Sequence, residues 1–212
     1  MELPLTILFA AGGLFLLYLL IWRVLSTFIT LPCPPGYIFL LDSPLINRVA
    51  GPEILIQRAG IEPGQRVLDA GCGPGRVTIP IAKHLAETGQ VIALDMQSGM
   101  LNRLQKRVSA NDLYNVEVIQ GELGKGLLEN HTFDRAIMIS VLGEIPDQLA
   151  ALEEIYQSLM PGGILSITEI LPDPHFQSKK KVTNLAERTG FNIDESFSGW
   201  RAFTVNLIKP IP

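Results

Sequence analysis

The sequence predicts an α/β domain: a seven-stranded, mostly parallel sheet with a terminal antiparallel hairpin, helices on both faces, and one transmembrane helix ahead of it. Three observations lead there. Beyond residue 60, short apolar runs of strand length alternate with helix-length amphipathic stretches, the pattern of strand–helix–strand units. The last two runs, "FNIDESF" and "RAFTVNLIK", are joined only by "SGW". A parallel crossover needs roughly a dozen residues or more, so these two strands must pair antiparallel. Residues 5–22 contain no charged side chain, and about twenty helical residues cross the hydrocarbon core of a bilayer.

The elements follow in chain order. Residues 1–30 read as an uncleaved anchor. The start, Met1-Glu2, lacks the basic residues of a signal peptide, and the flank "RVLSTFITLPCPPG" lacks a small-residue cleavage site. A buried or re-entrant hairpin is the other reading. Tyr18 and Trp22 lie toward one end, where amphipathic rings favour the interface. Glu2 precedes the run and Arg23 and Arg48 follow it, so positive charge on the inner side puts the main domain in the cytoplasm. Residues 31–43, opening with the proline-stiffened "LPCPPG", form a linker. Residues 44–212 form the domain.

Within it, "SPLINRVAGPEILIQRAG" predicts a helix interrupted near Gly51-Pro52 and closed by Gly60. "RVLDAG" is a buried strand, "GRVTIPIAKHLAETG" a helix, "QVIALD" a strand and "SGMLNRLQKRVSAND" a helix. "VEVIQG" and "FDRAIMIS" are strands, and "PDQLAALEEIYQSLMPGG" is a helix stopped by Pro-Gly-Gly. "ILSITEIL" is the fifth strand, "KKVTNLAERTG" the last helix, and the hairpin closes the chain.

Composition narrows the function. A net charge of −4 and a pI near 5.4 argue against a nucleic-acid-binding protein. Two cysteines, Cys33 and Cys72, make no disulfide framework, and Cys72 as a free thiol suits a reducing compartment. Three separated histidines, His84, His131 and His175, give no zinc-ligand spacing.

"VLDAGCGPG", residues 67–75, ends a strand with glycines at every second position. Ligands of open parallel sheets bind outside the carboxyl ends of the strands, and glycine lets backbone turn tightly and approach a ligand. The spacing is G-x-G-x-G. Arg76 stands where a dinucleotide-binding G-x-G-x-x-G turn would place its third glycine, which disfavours a nicotinamide cofactor.

With these residues the chain resembles the class I S-adenosylmethionine-dependent methyltransferases, a Rossmann-like fold. "VLDAGCGPG" resembles their first motif and "VIALDMQSGML" their second. "IQGELG", "FDRAIMISVLGEI" and "LMPGGILSITE" resemble the third-strand, fourth-strand and fifth-strand segments. The resemblance covers roughly residues 45–210 and is nearest to the small quinone-biosynthesis methyltransferases. It implies S-adenosyl-L-methionine as cofactor. Gly71, Cys72, Gly73 and Gly75 would lie against its methionine part and ribose, and Asp69 near its amino group. Asp95 would bind the ribose, Met96 would pack on the adenine, Glu122 and Leu123 would read the adenine edge, and Ser140 would lie beneath the methionine part. No metal is implied.

The cofactor's methyl is already activated, so the protein must orient an acceptor. A general base is needed only for an acceptor that arrives protonated. Glu144, Glu169 and His175, just beyond strands four and five, are the catalytic candidates. Each also has a structural reading: Glu144 at a helix start, Glu169 in the sheet, His175 in a loop. No Asn-Pro-Pro-Tyr-like segment follows strand four, and two cysteines are too few for arsenic methylation. Apolar stretches at 36–59 and 170–182 would roof the pocket, pointing to a lipophilic acceptor: a quinone precursor, a phospholipid amine or a hydrophobic thiol. Membrane lipids are the expected partners, with "SKKK" at 178–181 either resting on anionic headgroups or simply solvated. A non-catalytic, cofactor-binding membrane module is the alternative.

Overall fold

The computed structural model describes residues 44–171 and 173–212, with helical positions at 7, 9–10, 12–15, 17–18 and 21. The linker 31–43 and much of the expected anchor lie outside the described residues. Among those described, no helix is long and apolar enough to cross a membrane. The described N-terminal residues do carry bare apolar side chains; Phe9 is 74% and Leu14 68% exposed.

Two short helices come first, α1 (Pro44–Ala50) and α2 (Pro52–Arg58). Gly51 separates them in extended conformation, where a Cβ would strike the Asn47 carbonyl, and Pro52 occupies the first turn of α2, where its missing N–H costs nothing. The Rossmann-like alternation then follows: β1 (Arg66–Ala70), α3 (Thr78–Leu85), β2 (Gln90–Asp95), α4 (Ser98–Ala110), β3 (Val116–Gln120) and β4 (Phe133–Ile139). The second half comprises α5 (Gln148–Ser158), β5 (Leu159–Ile170), α6 (Lys179–Arg188), β6 (Asn192–Ser198) and β7 (Ala202–Ile208). The seven strands lie in the order β3-β2-β1-β4-β5-β7-β6. The four pairings from β3 to β5 are parallel, and β7 runs against both β5 and β6.

Alternate residues of the central strands enter opposite layers. Leu68, Leu94 and Met138 pack with Leu152 and Ile155 of α5 and with Val182 of α6. Val67, Val91 and Ile137 pack with Ile56 of α2 and with Ile81 and Leu85 of α3. Burial on both faces explains the near-continuous apolar runs of these strands.

One boundary differs from expectation. The Pro-Gly-Gly segment does not close a helix; it lies inside β5, which begins at Leu159. Long-range pairing overrides the local stop signal. Gly162 N–H donates to the Lys209 carbonyl and Lys209 N–H to the Gly163 carbonyl, both at 2.9 Å. A register shift opposite Phe133 and Arg135, with Gly162 at φ +79°, absorbs the irregularity. The buried Lys209 ammonium donates to the Leu159 carbonyl at 2.7 Å and fastens the same corner. Next to β7, the edge strand β6 is exposed almost throughout and shifts register between Ile193 and Glu195.

Candidate active site

Strand order reverses between β1, which leads outward to β2 and β3, and β4, which leads the other way to β5. A cavity of about 330 Å³ opens there, at the carboxyl ends of the strands. Its wall takes in Asp69 of β1 with Gly71, Cys72 and Gly73 after it, Asp95 at the end of β2 with Met96 after it, Glu122 and Leu123 after β3, and Ser140 after β4. These are all the residues expected on the cofactor except Gly75. Gly75 has φ +83°, and a Cβ there would strike Leu104 of α4. That contact packs the turn against α4, and Gly75 does not line the cavity.

The glycine turn is fixed by backbone. The N–H groups of Gly71 and Cys72 both donate to the Leu94 carbonyl, at 2.8 and 3.0 Å. Gly71 has φ +78°, and a Cβ there would meet Val141. Gly73 differs: its φ is +53°, yet a Cβ would meet nothing within 4 Å. The space it leaves belongs to the cavity. Asp95 is buried at the rim. Its Oδ2 accepts from Gly73 N–H at 2.9 Å and its Oδ1 from Gln97 N–H at 2.8 Å. Each oxygen keeps a lone pair for a further donor. Asp69 lies deeper. Burial pushes its carboxyl up to about 6, against the Thr78 hydroxyl donating to Oδ2 at 2.6 Å and helped by the nearby Asp95 charge. Burial also pushes the Cys72 thiol up, so it stays protonated. Arg76 donates to Asn47 Oδ1 and the Ala50 carbonyl, tying α1 to this turn.

Ser140 is strained. It has φ +53° as a non-glycine residue, and its buried Oγ has no hydrogen-bond partner among the described residues. A strained residue aimed at a cavity marks a place where function outweighs local comfort. Met96 is 53% exposed and lines the cavity, so it offers a free apolar face. The loop after β3 is held from α5. Glu154 accepts from the backbone N–H groups of Gly124, Lys125, Leu127 and Leu128.

The three catalytic candidates come together beyond β4 and β5. Glu144 ends a short 3-10 turn, Leu142–Glu144, and lines the cavity. His175 sits behind it, with Nδ1 3.9 Å from Glu144 Oε1 and 3.8 Å from Asp173 Oδ1. Burial lowers the His175 pKa, which favours the neutral ring, and Nε2 is buried without a partner among the described residues. Glu169 lies deeper still. Burial pushes its carboxyl up to about 8, opposed by the Gln177 N–H on Oε2 at 3.0 Å and reinforced by the Asp173 and Glu144 charges. Neither Glu169 nor His175 reaches the cavity wall. Asp173 does, and sequence reasoning passed over it. The 3-10 turn stacks on the 173–177 loop so tightly that a Cβ on Gly143 would strike the His175 carbonyl.

Residues 61–199 match the family described as a methyltransferase domain. The chain belongs to that family. The family and the fold imply S-adenosyl-L-methionine as its cofactor and support methyl transfer as its activity. A solved methyltransferase of Aquifex aeolicus, S-adenosylmethionine-dependent, is 28% identical, with a TM-score of 0.77 over 84% of this chain and 100% of its own. The demethylmenaquinone methyltransferase of Listeria monocytogenes is 32% identical over 124 residues, 58% of this chain and 52% of that enzyme. The Bacillus cereus enzyme of the same name is 33% identical over 103 residues. The methyltransferase thus spans about half the length of the curated relatives it matches. An arsenic(III) methyltransferase of Chlamydomonas reinhardtii, 23% identical with a TM-score of 0.61 over 86% of this chain and 75% of its own, shares the fold. The methyltransferase's own cavity fits the cofactor. It offers an open cradle at Gly73, an acidic rim residue at Asp95 and an unsatisfied hydroxyl at Ser140.

Proposed function

We propose that this methyltransferase methylates a lipophilic small molecule, a hydroxylated quinone-precursor ring, at the face of a membrane that its N-terminal segment enters. The observation that carries the reading is the cavity wall beyond β4, where the carboxylates of Glu144 and Asp173 meet the apolar side chains of Val141, Ile145 and Pro146. A flat apolar ring bearing an ionisable hydroxyl matches such a wall. The names of the Listeria and Bacillus relatives support the same acceptor class. The sequence alone also admitted a phospholipid amine or a hydrophobic thiol.

In this reading Asp95 accepts from the ribose hydroxyls while its other lone pairs stay on Gly73 and Gln97. Met96 covers the adenine, and Glu122 with the Leu123 backbone meets the adenine edge. Asp69 faces the amino group, whose positive charge draws its raised pKa back down. Gly71, Cys72 and Gly73 line the methionine part and Ser140 donates its hydroxyl beside it. The cofactor supplies a methyl group on a sulfonium, ready for displacement. The protein's work is to remove a proton from the acceptor and hold its ring in line. Glu144 would accept the proton from the acceptor hydroxyl, and Asp173 on the same wall could share that proton. Positioning of this kind is worth on the order of 7–11 kcal/mol in favourable cases.

The N-terminal anchor over 1–30, the linker over 31–43, the domain over 44–212 and a cytoplasmic-facing catalytic domain belong to this proposal. The bare apolar side chains of the described N-terminal positions support the anchor. The test uses membranes holding the full chain, methyl-labelled cofactor and a native lipid extract, with a Gly73→Arg variant as the control. Label in the organic phase, absent in the control, is the expected result. Label confined to water-soluble products would overturn the lipophilic acceptor.

A further inference from the structure

The carboxyl edge of the sheet carries more than the cavity. The β6–β7 turn reaches the same edge, because Ala202 pairs with Ile170 at the end of β5 and Leu171 N–H donates to the Arg201 carbonyl at 2.6 Å. On that turn Trp200 is 69% exposed, with the Arg201 guanidinium stacked 4.3 Å over its ring. Leu171, also exposed, stands two residues from Asp173 of the cavity wall. Beside the turn begins α6. Its Lys179 donates to Ser196 Oγ at 2.8 Å and approaches Ser198 Oγ at 3.5 Å, while Lys180 and Lys181 are exposed. The chain also enters the domain here: Ile46 of α1 is buried in the same cluster as Ile170 and Ala202.

We propose that this edge is a membrane-docking face, with Trp200 and Leu171 at headgroup depth and Lys179, Lys180, Lys181 and Arg201 on anionic lipid. The proposal rests on the lipophilic-acceptor reading and deepens it. An indole with a stacked cation presents an apolar body and a positive charge at one depth, which suits the interface between acyl chains and headgroups. The consecutive lysines supply the charge complement of an anionic leaflet. A membrane tether in the N-terminal segment would raise the effective concentration of this face at the bilayer. The cavity mouth then opens onto the plane in which a lipophilic acceptor diffuses, and the acceptor need not cross water.

The chain has two tryptophans, Trp22 and Trp200, so Trp22→Phe leaves Trp200 as the sole emitter. The full-length variant is mixed with vesicles of phosphatidylcholine and phosphatidylglycerol, with and without bromine on the upper acyl carbons. The expected result is Trp200 emission roughly halved by brominated anionic vesicles, since a ring at headgroup depth contacts those carbons. High salt, or Lys180→Glu with Lys181→Glu, should restore most of that emission. Trp200 emission untouched by bromine, whether the chain floats with the vesicles or not, overturns the docking face. In that event the patch belongs to a protein partner. Organic-phase label is read on the same vesicles. Label with unquenched Trp200 sinks only the docking face; quenched Trp200 with no label sinks only the acceptor.

Discussion

Asp95 does two jobs, and its replacement should separate them. It holds the N–H groups of Gly73 and Gln97 and offers its remaining lone pairs outward. Asp95→Ala should weaken S-adenosylhomocysteine binding by on the order of 100- to 1000-fold, from two lost hydrogen bonds to a charged group. The same change should lower stability by about 1–3 kcal/mol through the stranded N–H groups. Titration calorimetry and denaturant melts check the two effects. Glu169 gives a pH signature. Its folded pKa of about 8 lies above the ordinary 4.5, so between those values the folded state holds more proton than the unfolded chain. Its contribution to stability is fully present below pH 4.5 and is lost as pH rises through about 8. The slope is at most about 1.4 kcal/mol per pH unit. Glu169→Gln should remove that slope and leave the variant more stable than the parent at alkaline pH. Parallel stability curves for the two proteins would contradict this. At this scale the motif residues were legible because chain-local spacing places them at strand ends. Asp173 was not, since only the stacking of the 173–177 loop on the Leu142–Glu144 turn brings it to the wall. The packing of Gly75 on α4 was not legible either, because a glycine that spares a ligand and one that spares a helix look alike in sequence.

The loop after β3 depends on one side chain of another element. Glu154 of α5 collects four backbone N–H groups of residues 124–128. Glu154→Ala should loosen this loop, speed amide exchange there, and weaken cofactor binding on the order of tenfold, since about 1–3 kcal/mol of hydrogen bonding is lost. Glu154→Gln, which keeps one acceptor oxygen, should fall between. Exchange measured by mass spectrometry over 121–130 checks both. Glu154 reads in sequence as one more charge on an amphipathic helix, because its partners are some thirty residues away. The boundary at Leu159 was hidden for the same reason. Pro-Gly-Gly ends helices locally, but Lys209 pairing makes it strand. Elements whose partners lie next in sequence, such as the β6–β7 hairpin, were read correctly from spacing alone.

For the whole molecule, the strand count and the reversed last strand were legible, while the order β3-β2-β1-β4-β5-β7-β6 was not. Periodicity states what an element is and leaves open which neighbour it chooses. The prediction at this scale concerns tethering. Removing residues 1–30 should reduce methylation of a membrane-embedded acceptor on the order of 100-fold or more, by loss of effective concentration. Methylation of a short-chain, water-soluble analogue should stay within about twofold of the full chain, because no step of chemistry uses the tether. Equal losses on both acceptors would show that the segment supports the fold instead.

The outermost strand has a bearing on how copies of this protein behave when crowded together. A seven-residue edge with free N–H and C=O groups is a template onto which another chain can add a strand. Here the template is spoiled twice: the register slips between Ile193 and Glu195, and Asp194 and Glu195 stand mid-strand as exposed like charges. Two such edges meeting would bring four carboxylates together across a broken ladder. Molecules concentrated on a surface could therefore collide edge to edge and part again, and sheets would not fuse into fibres.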